Sequence, residues 1–290
     1  MTFAGMLERG PVVLAGGLAT ELERLGHDLS DSLWSARLLR DSPADIAAVH
    51  RAYFESGADV AITASYQATY EGFAAAGIGA DETTRLLRLS VELARQARDD
   101  VRPGGLVAAS VGPYAVVLAN RSEYTGEYGD VTAEQLAAVH RPRIAALLEA
   151  GPDLLALETV PSIREVAALA ALLAEFRGIE AWMTFCCRDG ERLSDGTAVE
   201  EAVRVASAAP LAAVGVNCTA PQHVDSLLER IRAATDLPVV AYPNNGWAGE
   251  SVVFPAELVE GWRDRGAAAI GGCCGTGPAA VAGIAAALRG

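Results

Sequence analysis

The chain has 290 residues, 51% of them hydrophobic and 21% charged, with a formal net charge of −14 and a pI near 4.7. This acidity argues against nucleic-acid or anionic-membrane partners, which select basic surfaces. No stretch reaches the ~18 consecutive apolar residues of a membrane span, and MTFAGMLERGPVVL lacks a basic start followed by a long apolar core, so a cytoplasmic protein without a signal peptide is expected.

From the amino terminus, a short apolar run at 12–15 predicts a first strand. The segment 43–56 follows, with Ile46, Val49, His50, Tyr53 and Phe54 on one helical stripe. A strand at 60–64 precedes a helix over 81–99, in which Leu86, Leu87, Leu89, Val91, Leu93 and Ala94 recur. The alternation then continues through strands at 105–111, 154–158, 181–186, 212–217, 239–242 and 267–270. Helices are predicted over 133–150, 162–176, 199–208, 221–233, 256–265 and 278–288. Ser42-Pro43, Thr132, Ser162 and Thr276-Gly277-Pro278 are helix-start signals.

The strand runs are continuously apolar rather than alternating, as suits strands buried on both faces of a parallel sheet. Eight strand–helix repeats without a Pro/Gly/Ser-rich linker predict an α/β fold, a single-domain (β/α)8 TIM barrel over residues 1–290. A doubly wound open sheet would need a glycine-rich phosphate turn. Gly16-Gly17 and SVGPY are the candidates, and neither makes GxGxxG.

A barrel of this kind carries its chemistry at the carboxyl ends of its strands. Those ends hold Gly16-Gly17-Leu18-Ala19-Thr20, Ser65-Tyr66-Gln67, Gly112-Pro113-Tyr114, Glu158-Thr159, Asn217-Cys218, Pro243-Asn244-Asn245 and Gly272-Cys273-Cys274. Five cysteines, an odd number clustered late in the chain, do not make a disulfide framework. Cys218, Cys273 and Cys274 each follow an apolar run, and three thiolates with one open position are the ligand set of a catalytic zinc. Neighbouring residues of a strand face opposite ways, so Cys273 and Cys274 need the flanking glycines 271, 272 and 275 to turn both sulfurs to one metal. Simple burial and a vicinal redox disulfide are the competing readings of these thiols. Cys186 and Cys187 lack flanking glycines and read as core or loop thiols.

Glu158 closes the apolar run DLLALET, a place where packing does not call for a carboxylate. It reads as a general base or an acceptor for a substrate ammonium, against a helix cap or an arginine partner. The four histidines, at 27, 50, 140 and 223, are all away from strand ends, which disfavours histidine general-base or triad chemistry.

GGLATELERLGHDLSDSLWSARLL, SGADVAITASYQAT, SVGPY with SEYTGEYG, HRPR, LLALETVP, LSDGT, GVNC and IGGCC run nearly end to end along the chain. In these stretches the chain resembles the homocysteine S-methyltransferase family, in its S-methylmethionine-dependent bacterial branch. The resemblance implies Zn2+ on Cys218, Cys273 and Cys274, through which these residues would act in catalysis. It further implies Glu158 on the amino group of homocysteine, and Gly16, Gly17 and Thr20 shaping the floor of the amino-acid pocket. The partners implied are a small thiol amino acid and a sulfonium methyl donor, S-methylmethionine or S-adenosylmethionine. A free alkyl thiol is nucleophilic only as thiolate, and binding to zinc supplies that form. The methylsulfonium leaves as a neutral thioether, so no acid is needed to protonate it.

The chain departs from relatives in several places. Ala15 stands where they have the aspartate of DGG, a carboxylate that shares the substrate ammonium with the counterpart of Glu158. Ala115 replaces a glycine, Asn120-Arg121 replaces Asp-Gly, PNNGW replaces PNSGE, and Gly275 stands where arginine is common. The altered amino-acid end leaves two readings, homocysteine bound more weakly or a zinc methyltransferase moved to a different thiol or selenol or to a donor of different shape. The rivals from other classes are a catalytically silent barrel that binds amino acids or a partner, and a redox protein using Cys273-Cys274. The glycine- and tyrosine-bearing stretch 118–130 is the candidate lid.

Overall fold

The computed structural model describes residues 1–31, 33–245 and 252–290. Eight strands form one parallel sheet: β1 (Val12–Val13), β2 (Val60–Ile62), β3 (Leu106–Val111), β4 (Leu154–Val160), β5 (Glu180–Phe185), β6 (Ala213–Asn217), β7 (Val239–Tyr242) and β8 (Ala267–Ile270). Their order is β1-β8-β7-β6-β5-β4-β3-β2, and a parallel bridge from Leu14 to Val60 joins the two ends and closes the barrel. The helices predicted from periodicity follow their strands, as Pro43–Glu55, Ala80–Val101, Ala133–Glu149, Ile163–Leu173, Val199–Ala206, Val224–Ala234, Ala256–Asp264 and Pro278–Arg289. Thr132 caps its helix in a reciprocal box with Gln135. Ser162 makes no side-chain cap, and the Ile163 N–H is instead accepted by Asp195 Oδ2 at 2.7 Å.

The two-residue period of the strands sorts their side chains into two cores. Val12, Leu106, Ala108, Leu154, Ala156, Trp182, Ala213, Val240 and Ala269 fill the barrel interior. Their alternates, such as Val13, Val107, Leu155, Met183, Val214 and Ala241, pack outward under the helices. Both faces are buried, which is why the runs are continuously apolar in the sequence.

The amino terminus adds an element that periodicity does not reveal, the short helix Phe3–Leu7. Glu180 at the start of β5 accepts the Phe3 and Ala4 N–H groups at 2.6 and 3.1 Å. This satisfies donors that a helix start leaves orphaned. Phe3 is fully buried with its ring 5.2 Å from that of Trp182, plugging the amino-terminal end of the barrel. Burying such a ring contributes roughly 2–3 kcal/mol.

Further short segments follow the first three strands: Leu18–Arg24, Trp34–Arg37 and Leu38–Asp41 after β1, Tyr70–Ala75 after β2, Ala115–Leu118 and Ser122–Tyr124 after β3. They gather at the carboxyl ends of the strands, where the site lies. Of the PNNGW stretch, Gly246 and Trp247 lie outside the described residues.

Candidate active site

The Sγ atoms of Cys218, Cys273 and Cys274 all lie within 4.8 Å of one another. Among the described residues they are the one group of potential ligand side chains so close together. A tetrahedral zinc with Zn–S near ~2.3 Å needs sulfurs roughly 3.8 Å apart. The trio therefore fits a soft divalent ion after closing by at most about 1 Å, with a fourth position left for an exogenous ligand. Hydrogen bonds from Cys218 and Cys273 hold the Cys274 thiol well below its ordinary value. The Cys273 thiol is pushed well above its ordinary value, first by its bond with Cys218 and then by that with Cys274. For Cys218 the bond to Cys273 lowers the value, but the bond to Cys274 and burial outweigh it. Three sulfurs this close repel one another as thiolates, so ionising all of them calls for a cation among them.

The flanking glycines work in two ways. Gly275 takes φ +77°, a left-handed turn that glycine adopts at no steric cost. Gly272 is instead a matter of space, because a Cβ there would lie 2.2 Å from the Thr276 side chain. Gly16 and Gly17 approach the same turn from β1, and added Cβ atoms would meet Thr276 O at 2.3 Å and Cys273 O at 2.4 Å. Thr20 accepts the Gly275 N–H at 2.9 Å. The predicted Gly16, Gly17 and Thr20 are thus brought against the backbone that carries two of the thiols, and all three line the adjoining cavity. Ala15 is 2% exposed and packed in the outer core, so the cavity wall begins at Gly16.

Polar side chains replace apolar ones at the last inward positions of the strands. Glu158 sits where β4 shifts register against β5, between Leu157 and Val160. Ser110 donates to one Glu158 oxygen, and the Tyr242 hydroxyl donates to the other at 3.0 Å. Burial raises the Glu158 carboxyl to about 7, and these two bonds lower it only in part. Thr159 next to it has φ 62°, an outlier for a β-branched residue. Asn217 holds this strained turn, accepting the Thr159 N–H at 2.7 Å and donating to its Oγ1 at 2.8 Å. Strain kept in place by such bonds is characteristic of functional sites.

The thiols and Glu158 line one cavity of about 990 Å³. Its described lining includes the acids Glu23, Asp28, Asp31, Glu123 and Glu158 against the basic side chains His27 and Arg121. Of the stretch 118–130, Ala119, Arg121, Glu123 and Tyr124 are among the lining residues. Tyr124 brings its hydroxyl 3.2 Å from Cys218 Sγ. Burial raises the Glu123 carboxyl.

Several of these residues escape a reading of strand ends alone. Ser110, Tyr242 and Thr184, which bonds Asn217 and Tyr242 at 2.8 Å each, are polar groups at the inward parity of an apolar run, the same parity as the strand-end Asn217; this signal was available. Tyr124 and Glu123 carry no such signal because they arrive on a loop. His27 lines the cavity, bonded to Asp45 at 2.8 Å. His50 lies in a helix as expected, and burial lowers it to about 4, so it is neutral. Cys186 and Cys187 are buried, Cys186 with its sulfur 3.6 Å from Cys218 O.

The HRPR stretch proves to be the support behind the site. Fully buried Arg143 donates to the carbonyls of Gly112 and Ser65, both at 2.9 Å, and to that of Tyr66. His140 pairs with Glu165 at 2.7 Å, whose carboxylate also accepts the Tyr114 N–H and the Tyr128 hydroxyl, each at 2.6 Å. The helix Ala133–Glu149 thereby fixes the ends of β2 and β3 through Arg143, and through His140 it braces Glu165 of the next helix, Ile163–Leu173, which holds both flanks of the loop that carries Tyr124.

Comparison with known proteins gives a consistent set of likenesses. The family model described as homocysteine S-methyltransferase matches residues 12–288. The homocysteine S-methyltransferase YbgG of Bacillus subtilis is 44% identical, with 96% of this chain and 94% of the relative covered. The selenocysteine Se-methyltransferase of Brassica oleracea is 42% identical, covering 95% and 88%. Among solved structures, the metallated form of the homocysteine methyltransferase MmuM from Escherichia coli superposes with a TM-score of 0.90. It is 44% identical, with 97% of this chain and 98% of that one covered.

Proposed function

Because the chain belongs to the homocysteine S-methyltransferase family, we propose that it moves a methyl group from a sulfonium donor, S-methylmethionine first among them, to homocysteine held at a zinc ion on Cys218, Cys273 and Cys274. The product is methionine. The observation that carries this reading is the convergence of three sulfurs on the cavity that also holds Glu158. When bound, the zinc would supply the acceptor sulfur as a thiolate at neutral pH.

The remaining work falls to the chain itself. Glu158 receives the ammonium of the acceptor, whose positive charge draws off the proton that burial otherwise favours. Ser110 and Tyr242 orient both its oxygens, and Gly16, Gly17 and Thr20 form the floor beside it. The cavity is at the upper end of the ~300–1,000 Å³ usual for small-molecule sites, enough for acceptor and donor together. Its acidic lining attracts a donor with both a sulfonium and an ammonium. Holding donor sulfur, methyl carbon and acceptor sulfur in line is then the main catalytic task, since the leaving thioether is neutral. The five free cysteines suit a reducing cytoplasm.

Purified, zinc-loaded protein given homocysteine and S-methylmethionine should form two methionines per turnover, with S-adenosylmethionine as the comparison donor. Serine at positions 218, 273 and 274 together should abolish both turnover and zinc uptake. Failure to form methionine from either sulfonium by fully metallated protein would overturn the reading. A second acceptor deserves a place in that assay, because the Brassica relative acts on a selenol. Faster turnover of selenocysteine than of homocysteine would assign the site to selenolates.

A further inference from the structure

We propose that Tyr124 is a positioning residue whose hydroxyl donates a hydrogen bond to the Cys218 sulfur in the metal-loaded protein, tying the loop after β3 to the metal centre. The inference rests on the reading of Cys218, Cys273 and Cys274 as a zinc site. The oxygen stands 3.2 Å from Cys218 Sγ. Between a thiol and a phenol either atom is able to donate. A metal-ligating cysteine has lost its proton, so only the phenol is left as donor, and an ordinary phenol keeps its proton to about pH 10.

The backbone on both sides is built to hold this contact. Ala119 and Arg121, neither of them glycine, take φ 49° and 63°, and the three-residue turn Ser122–Tyr124 begins directly after them. Each such residue costs on the order of 1–2 kcal/mol and persists only where its surroundings over-determine it. The anchors are visible. Asn120 Oδ1 accepts the Ser122 N–H at 3.1 Å, and Ser194 Oγ donates to Glu123 O at 2.7 Å. Gly126, at φ +70°, lies so close to Asp195 that a Cβ would come within 2.5 Å of it. Opposite, Cys218 itself is left-handed at φ 50°, with its N–H on Tyr242 O at 3.3 Å. Two strained segments from different strands therefore meet at one oxygen–sulfur contact.

A donor on a ligating thiolate has two physical effects. It fixes the orientation of that ligand, as outer hydrogen bonds at metal sites do. It also draws charge from the Cys218 sulfur, leaving it a poorer nucleophile than the substrate sulfur beside it.

Tyr124→Phe removes the O–H and keeps the ring. Chelator competition should find zinc held about tenfold less tightly, the lower end of what such partners contribute. In the cobalt-loaded protein the sulfur-to-cobalt charge-transfer band should move to lower energy, because an unbonded thiolate gives up charge more readily. As a check that needs no substitution in the fold, replacing tyrosine throughout by the more acidic 3-fluorotyrosine should move the band the opposite way. Unchanged affinity and an unmoved band in Tyr124→Phe, or no band shift with 3-fluorotyrosine where the variant does not fold, overturns the inference. If the unsubstituted protein takes up no metal, or the triple serine variant takes up as much, the zinc reading fails instead.

Discussion

Glu158 keeps its proton to about pH 7 in the folded chain, because burial penalises its charge more than Ser110 and Tyr242 favour it. Unfolded, the same carboxyl ionises near 4.5. Between those values the folded state holds the extra proton, so stability falls as pH rises from about 4.5 to 7. The whole shift amounts to on the order of 3 kcal/mol. Glu158→Gln never acquires the charge, so it should flatten this slope and be the more stable protein above pH 7 without substrate. Urea unfolding of both proteins at pH 5 and pH 8 measures the difference. The amide cannot neutralise an ammonium, so the homocysteine KM should rise by about ten- to a hundredfold, a charged hydrogen bond being worth roughly 1.5–3 kcal/mol. Equal slopes in the two proteins would mean that Glu158 is ionised throughout.

The helix Ala133–Glu149 shows what a single element does for the site without touching its cavity. Arg143 is buried completely and its burial lowers it to about 10, so it remains charged at neutral pH. Its three carbonyl partners come from the turns after β2 and β3. Arg143→Met fills much of the space but leaves those carbonyls without their donor. Each unsatisfied group costs roughly 1–3 kcal/mol, and a loss of at least about 3 kcal/mol in denaturant unfolding is expected. Arg143→Lys, able to reach fewer of the three, should fall between. A loss under 1 kcal/mol in Arg143→Met would show that the turns hold themselves. At this scale the sequence was legible wherever an element is long and periodic, as the eight barrel helices are. HRPR was visible as a motif, but its meaning was not, because its partners lie on two strand ends and a neighbouring helix. Phe3–Leu7 was missed for a related reason: five residues are too few for a helical period, and its donors are satisfied by Glu180, far along the chain. The convergence of Cys218 with Cys273-Cys274 followed from the barrel itself, once the strand ends were placed on one rim.

The whole molecule closes at its weakest seam. β1 and β2 meet through the single bridge of Leu14 with Val60, whereas β3 and β4 pair over four positions. The seam is reinforced by Asp59, whose own N–H donates to Val13 O at 2.7 Å and whose Oδ2 accepts the Val13 N–H at 2.9 Å. The same carboxylate takes Arg102 from before β3 and, at 2.8 Å, Arg289 from the last helix. One side chain thus links the first strand, the second, the approach to the third and the carboxyl-terminal helix. The arginines are 36% and 40% exposed, so their ion pairs alone contribute little. The bond to the buried Val13 N–H matters more, because breaking it leaves a donor unpaired inside the closure. We infer that the barrel folds as one unit and that this unit depends on the seam. Asp59→Ala should then lower stability by about 2–3 kcal/mol in a single cooperative transition. Asp59→Asn, which keeps an oxygen for Val13, should lower it by about 1 kcal/mol or less. Amide exchange should quicken first at Val13, Leu14 and Ala15 in Asp59→Ala, ahead of the strands from β4 to β7. Since Gly16 and Gly17 continue directly from that strand into the cavity wall, the acceptor KM should rise along with the exchange rate. Uniform exchange across all strands, or an alanine variant no weaker than the asparagine one, would locate the closure elsewhere.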